Sequence, residues 1–133
     1  MSPGLPLGRR ESGTVTVAPD GSGIRVLVEA RHGATRASLV EAALEPNAVS
    51  RPVRHRTVEE IWYVIQGSGE VWRRALDAPA GVRAMVGPGD ALVIPTGCEF
   101  QFRAGEGGLR FLCYTSPPWP GPDEAVLLEQ GGF

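Results

Sequence analysis

The chain has 133 residues, a net charge of −2 and 42% hydrophobic residues, which bounds it to one domain around a single core. Its 13 basic residues are all Arg and form no run, which argues against nucleic acid or an anionic membrane as main partner, and the lack of Lys excludes Schiff-base chemistry. No apolar stretch approaches the ~20 residues that span a bilayer, and Met1–Leu7 has no charged segment ahead of an apolar one, so the expectation is a cytoplasmic chain without a signal peptide.

Residues 1–12, rich in Pro and Gly and carrying Arg9-Arg10-Glu11, read as a loose or partner-docked arm. Strands are expected at Val15–Val17 and Ile24–Ala30, on either side of a Pro19-Asp20-Gly21 turn. His32, between Arg31 and Gly33, reads as a surface loop. Arg36–Leu44 reads as a strand ended by Pro46 and Asn47, with a helical alternative left open by its Ala, Leu and Glu content. Further strands are expected at Pro52–Arg56, Glu60–Gln66, Gly69–Arg74, Val82–Val86, Ala91–Ile94, Glu99–Arg103 and Leu109–Thr115. Turn signals recur about every 8–12 residues, the rhythm of an all-β sandwich or barrel. The tail from Pro117 to Phe133 carries its prolines early, with one short helix expected around Asp123–Glu129. Cys98, in a turn, and Cys113, in a strand, are expected to be reduced and to act as small buried packers. The division that follows is an arm over 1–12, a barrel over 13–120 and a tail over 121–133.

Two stretches carry a more specific pattern. Asn47, His55, Glu60 and Gly67 fall at the spacing of the first cupin motif, with Asn47 at a glycine position and Val53 where the first histidine belongs. Gly89, Pro95 and Gly97 fall at the spacing of the second motif, which then meets Phe100 and Ala104 instead of its histidine and asparagine. On these residues the chain resembles small single-domain bacterial cupins over roughly residues 36–119. The resemblance implies an all-β fold, the cupin-type double-stranded β-helix or jelly-roll barrel. It also implies a homodimer with strand exchange, for which the N-terminal arm is the natural element. The full family site offers three His and one Glu to a divalent iron, manganese, zinc or nickel ion. Here only His55 and Glu60 match, and two protein ligands rarely hold a transition metal firmly. The cofactor expectation is therefore none, or one divalent metal ion with replacement donors.

Period-2 alternation decides which side chains reach the barrel interior. If His55 points inward, Val53 and Arg51 share its parity, and Glu60, Trp62 and Val64 share another. The pocket then holds an imidazole, a carboxylate and an indole, with the Arg51 guanidinium at the mouth. Along Glu99–Arg103 two registers are open. In one, Phe100 and Phe102 fill the interior; in the other, slipped by one residue, Glu99 and Gln101 face inward and complete a metal set with His55 and Glu60. Without a metal, His55 and Glu60 form a candidate acid–base pair in which the carboxylate raises the imidazole pKa. Val53, Trp62, Trp72, Phe100, Phe102 and Cys113 complete the candidate substrate-binding set with Arg51. Trp119, held between prolines, is placed over an edge or a barrel mouth, and Tyr63 is expected to pack.

Three function classes follow. The first is an isomerase, cyclase or lyase acting on a small metabolite through His55 and Glu60. The second is a metal enzyme such as a dioxygenase, with Glu99 or Gln101 as an added ligand. The third is a non-catalytic metabolite-binding module. Residue types favour the first, because the missing histidines count against the second.

Overall fold

A computed structural model describes residues 4–133. Nine strands form one curled sheet: β1 (Val15–Val17), β2 (Gly23–Val28), β3 (Ser38–Leu44), β4 (Val53–His55), β5 (Glu59–Arg74), β6 (Val82–Val86), β7 (Ala91–Ile94), β8 (Glu99–Ser116) and β9 (Ala125–Leu127). Every pairing is antiparallel, in the order β1-β2-β3-β8-β4-β9, with β5 joining β6, β7 and β8. The all-β jelly-roll reading of the sequence is what is found.

The alternation that shapes the barrel is clearest in β5. Glu60, Trp62 and Val64 are buried while Ile61, Tyr63 and Ile65 face out. The inward set joins Val53, Val71, Ile94, Phe100, Phe102 and Phe111 in a core built around Trp62. The Trp62 indole stacks on Phe111 at 4.1 Å between ring centroids and meets Phe102 edge-on at 5.0 Å. Such pairs contribute roughly 0.5–1.5 kcal/mol beyond the area they bury.

Two pairs of expected strands run on as single long ones. β5 and β8 pair from Glu59↔Ser116 to Arg74↔Glu99, and between Gly67 and Gly69 the partner jumps from Leu109 to Ala104. Residues 105–108 are left as a bulge that bends both strands from one half of the barrel into the other. Gly67 holds a φ of 80°, and a Cβ there would overlap the Gly108 carbonyl oxygen. Asn47 has a φ of 60°, as its place in the motif implies.

Local propensity is overruled in two places. Arg36–Leu44 forms no helix; its Ser38–Leu44 portion lies between β2 and β8, where both edges of its ladder are satisfied. The helix expected at Asp123–Glu129 is replaced by a 3-10 turn, Pro122–Glu124, followed by β9. A helix that short is marginal alone, whereas β9 gains a ready ladder on β4, with Val53↔Leu127 and His55↔Ala125.

The first three residues of the expected N-terminal arm lie outside the described residues. The rest rests on its own barrel: Arg10 pairs with Glu41 at 2.6 Å, and Gly8 lies so close to the Leu27 carbonyl that a Cβ would overlap it. Glu41, on β3, is shared with Arg110 at 3.1 Å.

Candidate functional site

One mouth of the barrel opens into a cavity of about 520 Å³. β4 contributes Val53 and His55, β5 contributes Glu60 and Trp62, and β8 contributes Phe111, Cys113 and Thr115. The β1–β2 turn reaches over it with Asp20 and Ser22, and Trp119 closes the rim from the segment after β8.

His55 and Glu60 are brought together as the sequence implied. His55 Nδ1 lies 3.9 Å from Glu60 Oε2, too far for a hydrogen bond. The Nδ1 atom is buried and has no hydrogen-bond partner among the described residues. The ring is clamped edge-on between Phe100 and Trp119, each at 5.2 Å between centroids. Glu60 is better served: the Trp62 indole N–H donates to Oε1 at 2.9 Å, and the Thr115 hydroxyl makes a long contact to Oε2 at 3.5 Å. Cys113 Sγ sits 3.7 Å from the same hydroxyl.

Burial sets the electrostatics. It pushes the Glu60 carboxyl up to about 7, against the Trp62 bond that lowers it. It pushes the His55 imidazole down to about 4, with Glu124 as a weaker opposing influence. The expected rise in the His55 pKa is thus corrected. Near neutral pH the imidazole is uncharged, and the group that titrates there is the carboxyl. Burial also raises the Cys113 thiol well above its usual range, with the Glu60 charge adding to it, so it is no thiolate nucleophile.

Among the remaining candidates, Val53, Trp62 and Cys113 line the cavity and the others do not. Phe100 and Phe102 face inward, 1% and 0% exposed, but as core packing behind His55 and Trp62. Glu99 and Gln101 therefore point to the other face, where Glu99 meets Arg74 at 3.2 Å. Gln101 accepts from the backbone N–H of Gly132 and Phe133 and donates to the Ser50 carbonyl. The slipped register and the His55–Glu60–Glu99/Gln101 metal set are not what the chain adopts. Arg51 is exposed ahead of β4 and offers its backbone N–H to Asp20, not its guanidinium to the mouth. Trp72 lies against Gly81 and Gly132, away from the cavity, because the register shift between Val64 and Gln66 reverses the inward parity of β5 and turns Gly69 and Val71 inward instead. Tyr63 is half exposed rather than packed.

The donor set can be weighed against the metal that the fold implies. Among the described residues, no group of three or more His, Cys, Asp or Glu is arranged to hold an ion. Val53 and Phe100, fully buried in the core, fill the positions of two ligating histidines. An aliphatic and an aromatic side chain supply no lone pair, so these residues do not fit a firmly held transition metal.

Three further residues shape the site. Asp20 accepts from the Ser22 backbone N–H at 2.8 Å and its hydroxyl at 2.6 Å, both through Oδ1. Burial raises its pKa despite those bonds. The Asp-Gly-Ser sequence announces a turn but not that the turn hangs over a cavity. Glu124, buried at the end of the 3-10 turn, accepts from the backbone N–H of Thr57 and Val58 and from the Thr57 hydroxyl. Burial alone would raise its carboxyl, but those donors and His55 hold it below the ordinary range. Its partners lie 66 and 67 residues away in sequence, and no local signal marks it. His32, expected on the surface, is buried; its Nδ1 accepts the Glu29 backbone N–H at 3.0 Å and tightens the turn beside the cavity mouth.

None of the curated proteins compared by sequence matches the chain. Similar solved structures include KdgF from Halomonas sp., at 21% identity and a TM-score of 0.70 over 86% of this chain and 96% of that one. Oxalate decarboxylase from Bacillus subtilis gives 19% identity and a TM-score of 0.80 over 96% of this chain. The match spans 33% of that longer protein. A Lactobacillus farciminis oxalate decarboxylase, solved as a formate complex, gives 21% and 0.76 over 96% of this chain and 38% of its own. At such identities the likeness speaks for the fold. The family model described as a cupin domain matches residues 40–115, more than half of the sequence, and the chain belongs to the cupin family.

Proposed function

We propose that the chain is a small-molecule enzyme of the isomerase, cyclase or lyase type, with Glu60 as the proton carrier and His55 as its neutral partner. The observation that carries this reading is a buried carboxyl poised at about 7 on the wall of a cavity, beside an imidazole whose Nδ1 has no partner among the described residues. A general acid–base group works best with a pKa near the working pH. As a carboxylate, Glu60 takes a proton from a substrate carbon next to a carbonyl, and the electron pair moves onto the carbonyl oxygen. A neutral His55 N–H donates to that oxygen. The Glu60 acid then returns its proton to a second carbon, or to a departing group, so the cycle needs no oxidant or reductant.

The test is solvent deuterium incorporation, followed by NMR across a panel of uncharged carbonyl-bearing ring compounds. Glu60→Gln is expected to abolish exchange and His55→Ala to slow it at least tenfold. Exchange that survives in Glu60→Gln overturns the reading. Saturable binding with no conversion of any compound assigns the chain instead to the metabolite-binding class.

The working unit is proposed to be a homodimer. Its support is an outward apolar face in which Val93, Ile61, Tyr114 and Leu39 form one cross-strand row over β7, β5, β8 and β3. Ile61 and Tyr114 are 44% and 42% exposed there. No helix among the described residues is long and apolar enough to cross a membrane, and the two free, buried thiols suit a reducing compartment such as the cytoplasm.

A further inference from the structure

The cavity wall has a one-sided charge inventory. Asp20, Glu29 and Glu60 line it, Glu29 already paired with Arg31 at 3.2 Å, while none of the described lining residues is Arg or Lys. Cations are plentiful elsewhere, but they are committed to the outer surface: Arg74 to Glu99, Arg103 to Glu70, and Arg10 and Arg110 to Glu41. The remaining lining is mostly apolar or aromatic, including Ile24, Val40, Ala42 and Trp119. Two acceptors stand ready on the wall. Asp20 spends Oδ1 on Ser22, and Oδ2 has no hydrogen bond among the described residues. Glu60 spends Oε1 on Trp62.

We propose that this cavity takes a small apolar ring compound bearing an amine or another hydrogen-bond donor, uncharged or cationic, and that it rejects carboxylates. A carboxylate entering it would lose its hydration shell with no lining cation to replace it, and would face the carboxyl groups of Asp20 and Glu60. The oxalate named in structures of the same fold is a dianion, and this cavity offers nothing to neutralise it. An ammonium or amide N–H has the opposite fate. Asp20 Oδ2 accepts from it, and the apolar ring displaces poorly held water against Trp62 and Trp119. The positive group also favours the ionised form of Asp20, which turns burial of the carboxyl from a cost into an ion pair.

The assignment rests on the cavity being the substrate site, as in the function proposed above, but it concerns binding and needs no turnover. The experiment is therefore a titration of tryptophan fluorescence at pH 7.5 with three probes of similar size: benzylamine, benzyl alcohol and benzoate. Benzylamine is expected to bind at least tenfold more tightly than benzoate, with benzyl alcohol between them. Asp20→Asn is expected to bring benzylamine down to the level of benzyl alcohol while leaving benzyl alcohol itself within twofold. Benzoate binding as tightly as benzylamine overturns the proposal, and so does failure of benzylamine to saturate the signal. A benzylamine preference that persists in Asp20→Asn moves the recognition away from Asp20 and overturns that part. Because fluorescence reports occupancy alone, exchange that survives in Glu60→Gln, or that no compound shows, leaves this result standing, and the two failures stay separate.

Discussion

At the residue scale the site is decided by burial acting on two groups of opposite charge type. The same removal from water keeps the Glu60 proton on and the His55 proton off. Each shift has a consequence for stability. Glu60 has a folded pKa above its unfolded value, so the folded state binds the extra proton between about 4.5 and about 7. Its contribution is fully present below that window and is lost as pH rises through it. His55 runs the other way: its folded pKa of about 4 lies below the usual 6.5, so its contribution is lost as pH falls through that range. The two slopes largely cancel in the wild type between pH 5 and 6.5. Glu60→Gln removes one of them. The variant is expected to gain on the wild type by about 3 kcal/mol as pH goes from 5 to 8. Denaturant unfolding at both pH values checks this, and a pH-independent difference would mean that Glu60 ionises normally.

At the element scale, the bend in the β5–β8 pair and the short β9 hold the site in place. Gly67 sits in the left-handed region with the Gly108 carbonyl against it. Gly67→Ala combines backbone strain with a clash and is expected to cost about 2–4 kcal/mol in urea unfolding. The mouth is pinned differently. Glu124 ties the turn before β5 to the segment before β9, while β9 pairs with the strand that carries His55. Glu124→Ala leaves the backbone N–H groups of Thr57 and the buried Val58 without an acceptor and is expected to cost about 1–3 kcal/mol. It should also weaken benzylamine binding, because the β4–β9 wall of the cavity loosens. Unchanged unfolding in this variant would show that the Glu124 bonds are replaced by water.

At the scale of the whole molecule, the family frame is kept while its cation cage is rebuilt as apolar core. Val53 and Phe100 fill two ligand positions, and the residues once available as substitutes point away. Purified protein is therefore expected to carry well below one transition-metal ion per chain by elemental analysis, and dialysis against a chelator should leave its melting temperature unchanged. Stoichiometric metal, or a drop in melting temperature after chelation, would contradict this. The outward row of Ile61, Tyr114 and Val93 predicts a dimer that Ile61→Arg dissociates, read by light scattering after size-exclusion chromatography. A monomeric wild type would refute it.

The sequence by itself determined the architecture, because turn residues and period-2 alternation are local signals. Asn47, Gly67, Gly89 and Gly97 all take the positive φ that their motif positions require, and Glu60, Trp62 and Val64 share the inward face that their spacing implies. The pairing of His55 with Glu60 was legible for the same reason, since each sits in an ungapped stretch. Only the tertiary structure decided the rest. The register shift between Val64 and Gln66 reversed the parity downstream on β5 and sent Trp72 away from the cavity. The face taken by Phe100 depended on its pairing with Val53 in the β4–β8 ladder. Asp20 and Glu124 reached the site through a turn and a tail whose contacts are long-range. The sign of the His55 shift followed from how deeply the ring is buried, a property of the closed barrel that no stretch of residues carries alone.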